Sequence, residues 1–113
     1  MKKSILFFLI IVSLVLILGS VSFAETVVIE DILKGDQTIS IDTQLLSIIQ
    51  GNVTVEPGVI FYVDGIITGN LTLQEGSILE LNGIIEGNVY NNTGNSINEE
   101  SINGIVKGEI IEN

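Results

Sequence analysis

The stretch that decides the fold is GNVTVEPGVIFYVDGIIT (51–68), followed at once by GNLTLQEGSILELNGIIE (69–86). The two units align without a gap, and a third begins at Gly87-Asn88. Other glycines keep the same eighteen-residue step: Gly58, Gly76 and Gly94 in one series, Gly65 and Gly83 in another. A fixed period of this length marks a solenoid, in which each repeat buries its apolar face only when the next stacks on it. Because eighteen is even, residues of one parity stay on one side of the ribbon. Odd positions carry Val53, Val55, Val59, Phe61, Val63, Ile67, Leu71, Leu73, Leu79, Leu81, Ile85 and Val89. Even positions carry Asn52, Thr54, Glu56, Asp64, Thr68, Asn70, Thr72, Gln74, Glu80, Asn82 and Glu86. This is strand alternation, apolar in and polar out, in short segments punctuated by glycine.

Eighteen residues divide into three sides of about six, the usual strand length with its corner. The sequence therefore predicts an all-β fold: a single-stranded right-handed parallel β-helix of triangular section, with coils about 4.8 Å apart. Stacking in this register sets Glu56 beneath Gln74 and Asn92, Asp64 beneath Asn82, Tyr62 beneath Glu80, and Thr68 beneath Glu86. No acid in these columns meets another acid, as expected when like charges opposite one another destabilise a sheet. The Gly51-Asn52, Gly69-Asn70 and Gly87-Asn88 pairs read as a structural ladder of turns. Glycine takes corner conformations that other residues resist, and stacked Asn amides can hydrogen-bond along a parallel array.

The pattern drifts at both ends. Asn103-Gly104 falls 21 residues after Asn82-Gly83, so three residues are inserted, and the polar run from Asn91 to Glu100 is the natural site of a bulging loop. Upstream, residues 25–47 read as an N-terminal coil and cap, with strands at 26–29 and 38–41 and a Gly35-Asp36 turn; residues 48–113 form the repeats. Residues 1–24 read as a secretory signal peptide: Lys2-Lys3, an apolar run from Ile5 to Leu18, and Ser22-Phe23-Ala24 at the cleavage position. The rival reading is an uncleaved anchor, the one way in which a membrane becomes a partner.

Without Lys2 and Lys3 the formal charge falls from −10 to −12, with Lys34 and Lys107 against fourteen acids. Such a surface repels phosphates and excludes nucleic acid. The absence of Cys, His and Arg removes thiolate and imidazole nucleophiles and the common zinc sites. No cofactor, metal or catalytic residue is therefore predicted. The nearest approach to a constellation is Asp64 with Glu80, expected on a diagonal of about 7–8 Å; with Asn82 they are the only candidates for holding a cation, and two solvated acids on a flat face is the favoured reading. Apolar residues of the wrong parity, Ile60 with Ile78 and Ile66 with Ile84, either fill corners of the core or form exposed apolar ribs. As ribs, together with Ile110 and Ile111 at the last coil, they are the candidate self-association residues, since contiguous apolar patches and open strand edges both invite partners.

The units Gly-Asn-[Val/Leu]-x-[Val/Leu]-x-x-Gly and Asn/Asp-Gly-Ile-Ile-x-Gly, from Ile48 to Ile111, resemble those of bactofilins, bacterial polymer-forming β-helix proteins. The resemblance implies a scaffold that polymerises through its terminal coils without nucleotide and has no catalytic residues. Bactofilins act in the cytoplasm or at the inner membrane face, whereas this chain begins with a signal peptide, and it has fewer coils. The expectation is thus a secreted or envelope-associated, non-enzymatic bacterial structural protein forming a homo-oligomer or polymer. The alternative is a monomeric module binding envelope polysaccharide or a protein, with Tyr62 and Tyr90 on its surface.

Overall fold

The computed structural model describes residues 25–113; the segment read as a signal peptide lies outside the described residues. Fourteen short strands wind through five coils. The first coil holds β1 (Val27–Ile29), β2 (Leu33–Lys34) and β3 (Gln37–Ile39). The second holds β4 (Thr43–Leu45), β5 (Ile48–Gln50) and β6 (Val53–Val55). The third holds β7 (Ile60–Val63), β8 (Ile66–Ile67) and β9 (Leu71–Leu73), and the fourth β10 (Ile78–Leu81), β11 (Ile84–Ile85) and β12 (Val89–Asn91). A 3₁₀ turn at Glu99–Ser101 opens the fifth coil, completed by β13 (Ile105–Val106) and β14 (Ile110–Glu112).

Three all-parallel sheets result. Sheet A has the order β1-β4-β7-β10, sheet B runs from β2 through β5, β8 and β11 to β13, and sheet C from β3 through β6, β9 and β12 to β14. The chain is a β-solenoid, and the register deduced from parity holds: Tyr62 pairs with Glu80, Val53 with Leu71 and Ile66 with Ile84, each a step of 18.

Two steps differ from 18, and parity explains what each does. From the first coil to the second the step is 16, as in Leu33 with Ile49 and Gln37 with Val53. Sixteen is even, so the same parity faces inward. From the fourth coil to the fifth the step is 21, as in Ile84 with Ile105 and Val89 with Ile110. Twenty-one is odd, so parity inverts and the inward residues become Ile102, Val106 and Ile110. Ile102 and Val106 do pack against the core. The inserted residues restore orientation because the chain re-enters through the loop and the 3₁₀ turn, which stand where sheet A would have its fifth strand.

The core is a column of aliphatic layers around Phe61, with Leu45, Ile49, Val55, Val63, Ile67, Leu71, Leu81, Ile85 and Val89 fully buried. Side chains from three walls meet on one axis, so every inward residue gains its burial from the coils above and below. One column of the core becomes polar at its upper end. Asn91, stacked on Leu73, is buried, and its Oδ1 accepts from the Thr93 amide (3.0 Å) and hydroxyl (2.6 Å). Its Nδ2 donates to the Asn95 carbonyl (2.7 Å) and to Glu112 (2.9 Å). All four hydrogen-bonding positions are used, which a buried amide requires if it is not to cost stability. The inserted loop is organised around this one side chain. Ser77 is the exception in the wall: its hydroxyl is buried without a partner.

Corners are set by two kinds of glycine. At Glu56-Pro57-Gly58-Val59 the chain turns with Gly58 at φ +75° and the Val59 amide donating to Glu56 O, the pattern of a type II turn. Here the conformation needs glycine, while a Cβ would meet open space. At Gly65, Gly83 and Gly104 the reverse holds: a Cβ on Gly83 would overlap the carbonyl oxygen of Gly65, and one on Gly104 the carbonyl of Gly83. Backbone lies directly on backbone. Gly83→Ala is therefore expected to cost more than about 3 kcal/mol, because no flexible side chain can yield. Gly58→Ala should cost only about 1–2 kcal/mol, the strain of a left-handed residue. Urea unfolding of the two variants beside wild type checks the order; equal losses would contradict the steric account.

Candidate functional site

The outer surface carries two polar ladders and two apolar ribs, each generated by the coil repeat. The first ladder follows the corner between sheets B and C. Asp36 Oδ1 accepts from the Asn52 amide (2.9 Å), Asn52 Oδ1 from the Asn70 amide (2.8 Å), Asn70 Oδ1 from the Asn88 amide (2.8 Å), and Asn88 Oδ1 from the Glu109 amide (2.9 Å). Each side chain thus satisfies a backbone donor one coil above. The preceding glycines make room: a Cβ on Gly69 would stand 2.5 Å from Asn52 Oδ1. Gly51-Asn52, Gly69-Asn70 and Gly87-Asn88 are structural parts of this corner.

The second ladder follows the corner between sheets A and B. Gln44 Nε2 donates to Asp64 Oδ2 (2.6 Å) and Asn82 Nδ2 to Asp64 Oδ1 (2.8 Å). Donation from Gln44, then from Asn82, holds the Asp64 carboxyl below its ordinary value against slight desolvation. Both carboxylate oxygens are thus engaged by amides in a solvent-exposed column. The described residues contain no group of three or more acidic or other metal-ligating side chains placed to hold an ion. Asp64 is exposed and Glu80 half-buried, on neighbouring coils, and neither lines the open depression beside the loop, which is formed by Ser96, Ile97, Glu99, Ile102, Ile110 and Glu112.

The wrong-parity isoleucines stand outside the core, which contains none of Ile48, Ile60, Ile66, Ile78 and Ile84. The reading in which they fill corners is therefore corrected: the inward places at those corners are held by Ile49, Ile67 and Ile85. Ile60 and Ile78 form a column of two on sheet A, ended below by Asp42, whose carboxylate accepts the Ile60 amide (2.9 Å). On sheet B the column is longer. Ile48, Ile66, Ile84 and Ile105 are in register, and Ile32 lies under Ile48 because Leu33 pairs with Ile49. Five isoleucines run the full height of the solenoid. The three inner ones are half-buried against one another; Ile32 and Ile105, at the ends, are 51% and 55% exposed. Ile32 was not legible as a member because the first step is 16 rather than 18.

Beside this rib, two residues further along each strand, stands the column Lys34, Gln50, Thr68, Glu86, Lys107. It holds both lysines of the described chain, on the outermost strands β2 and β13. Lysine on an edge strand opposes edge-to-edge addition. A copy stacked head to tail in the native register would set Lys107 against Lys34 and, in the Asn column, Glu109 against Asp36. Both contacts join like charges. At the last coil, Ile110 faces inward above Val89 yet is 41% exposed, while Ile111 stacks on Tyr90 at the outer face and is half-buried. Tyr62 is on sheet A and Tyr90 on sheet C, so they share no platform for a sugar ring.

Comparison of the chain with protein-family models, with curated proteins and with solved structures found no match. The class of protein is defined by the fold alone, a β-solenoid repeat protein.

Two predictions follow from the ladders. Asn70→Ala leaves the Asn88 amide without its acceptor and should cost about 1–2 kcal/mol, measured by thermal unfolding; an unchanged midpoint would show the ladder to be incidental. Asp64 has a folded pKa below its unfolded one, so its contribution is full above about pH 4 and is lost as pH falls through the folded value. Wild type should therefore lose stability below pH 4 more steeply than Asp64→Asn. Parallel acid profiles would contradict this.

Proposed function

We propose that this chain is a non-enzymatic structural protein of the cell envelope or exterior that self-associates through its apolar ribs, with the strand edges at the solenoid ends as a second surface. The observation that carries the reading is the unbroken isoleucine column on a body that is otherwise strongly acidic. An exposed contiguous apolar strip has a solvation cost that association removes, and the repeat keeps it in line through all five coils.

The extracytoplasmic placement rests on the amino-terminal sequence, read as a cleaved signal. The bactofilin-like repeat units support a scaffold role, although a straight continuation of the coil stack from copy to copy meets the Lys107–Lys34 and Glu109–Asp36 repulsions. End contacts would have to be rotated out of that register. A non-enzymatic role is supported by the two side-chain amides that occupy both oxygens of the Asp64 carboxylate.

Sedimentation velocity of residues 25–113 across a wide concentration range tests the proposal. It predicts species larger than the monomer that grow with concentration and with added salt, which screens the acidic surface. A strict monomer at the highest concentration, with and without salt, would remove the scaffold reading.

A further inference from the structure

Given the self-association proposed above, we infer that two copies dock side by side through sheet B, with their solenoid axes parallel and a two-fold axis running along the Ile32-Ile48-Ile66-Ile84-Ile105 rib. The argument comes from the columns on either side of the rib. On one side stand Lys34, Gln50, Thr68, Glu86 and Lys107. On the other, at the corner two residues before the rib, stand Glu30, Leu46, Asp64, Asn82 and Asn103, in register because Ile29 pairs with Leu45 and Leu45 with Val63, and because the Asn82 and Asn103 amides bond to Val63 O and Leu81 O.

A two-fold axis parallel to the solenoid axis brings each coil against the same coil of the second copy and exchanges the flanking columns. Lys34 then faces the partner's Glu30, Thr68 the partner's Asp64, Glu86 the partner's Asn82, and Lys107 the partner's Asn103. Gln50 covers the partner's Leu46, which is 49% exposed in the single chain. Between these flanking columns each charge meets an opposite charge or a hydrogen-bonding group, and no like charges meet, which is the self-complementarity an isologous interface needs. The antiparallel alternative fails this test, because turning one copy end for end lays Lys34 against the partner's Lys107.

Charge also selects the face. Its two central columns carry Lys34 and Lys107 against Glu86 alone, while the other acids lie at the corners, on sheets A and C and on the loop. Two such bodies repel through every other side. The strip is about 20 Å long for five coils and buries much less than the roughly 800 Å² per partner of a stable complex. The pair is therefore weak in dilute solution and forms where copies are concentrated, as on an envelope surface.

Single-cysteine crosslinking in protein expressed from the complete sequence tests the arrangement, since the chain has no native cysteine. Ile32→Cys, Ile66→Cys and Ile105→Cys should each give disulfide homodimers under mild oxidation, several-fold above a Thr38→Cys control on sheet C. A mixture of the Ile32→Cys and Ile105→Cys proteins should give homodimers and no mixed disulfide. Mixed dimers in place of homodimers would overturn the inference, since only an antiparallel or end-to-end contact brings Ile105 to Ile32. Equal yield from the control would also overturn it. Lys34→Glu should weaken pairing about fivefold, two exposed charge contacts being changed per dimer, and adding Glu30→Lys should restore it. Sedimentation separates the two ideas: oligomers without rib crosslinks sink the lateral dimer and leave self-association standing, whereas a strict monomer removes both.

Discussion

Backbone resting on backbone at the corners is the constraint on which the rest of this structure depends. Parallel coils about 4.8 Å apart leave no space for a side chain where the ribbon bends over the carbonyl beneath it. Gly65, Gly83 and Gly104 therefore form one column, and the glycines before the Asn ladder another. Once the corners are bare, the strands between them stack in register, and the alternation of apolar and polar residues does the rest. The core, the ladders and the rib are all consequences of one coil laid on the next without lateral slip.

The energetics are distributed accordingly. The inward aliphatics supply the burial, and none of them is buried by its own coil alone. The Asn corner then meets a need that burial creates: amides that bend away from the sheets still require acceptors, and the side chain one coil below provides them. At another corner Asp64 accepts side-chain amides instead, from Gln44 on the coil below and Asn82 on the coil above, which increases its acidity. At the upper end, Asn91 replaces an aliphatic in its column and, with Thr93, Asn95 and Glu112, fills that place with hydrogen bonds, beside Ile97, Ile102 and Val106 packed on the core.

Much of this was legible in the sequence, because a step of eighteen carries its own register. Asp64 under Asn82 and Tyr62 under Glu80 follow from counting alone. What counting missed lies where the step changes. The first coil is two residues shorter, so β2 and the place of Ile32 under Ile48 were hidden. In the fourth-to-fifth step, the odd increment inverted parity, so the inward role of Ile110 could not be read from its number. The position of Ile66 and Ile84 outside the core was ambiguous because a corner can turn a residue either way. Only the presence of Ile67 and Ile85 in the inward places resolves it. Function was less legible still, since the chemistry that usually announces it is carried by residue types this chain lacks.

The surface follows from the same repetition. A residue chosen at one position of the repeat is copied into a stripe, and an apolar choice on sheet B becomes a rib spanning the molecule. Whether this account of the fold holds rests on the corners behaving as part of the hydrogen-bonded stack rather than as loops. Residue-resolved amide hydrogen exchange of residues 25–113 measures this directly. The Asn70 and Asn88 amides should exchange as slowly as those of β8, β9 and β11, because they open only when coils separate. Exchange at the rate of the exposed 94–98 loop would contradict the account, leaving the strands stacked but the corners unsupported.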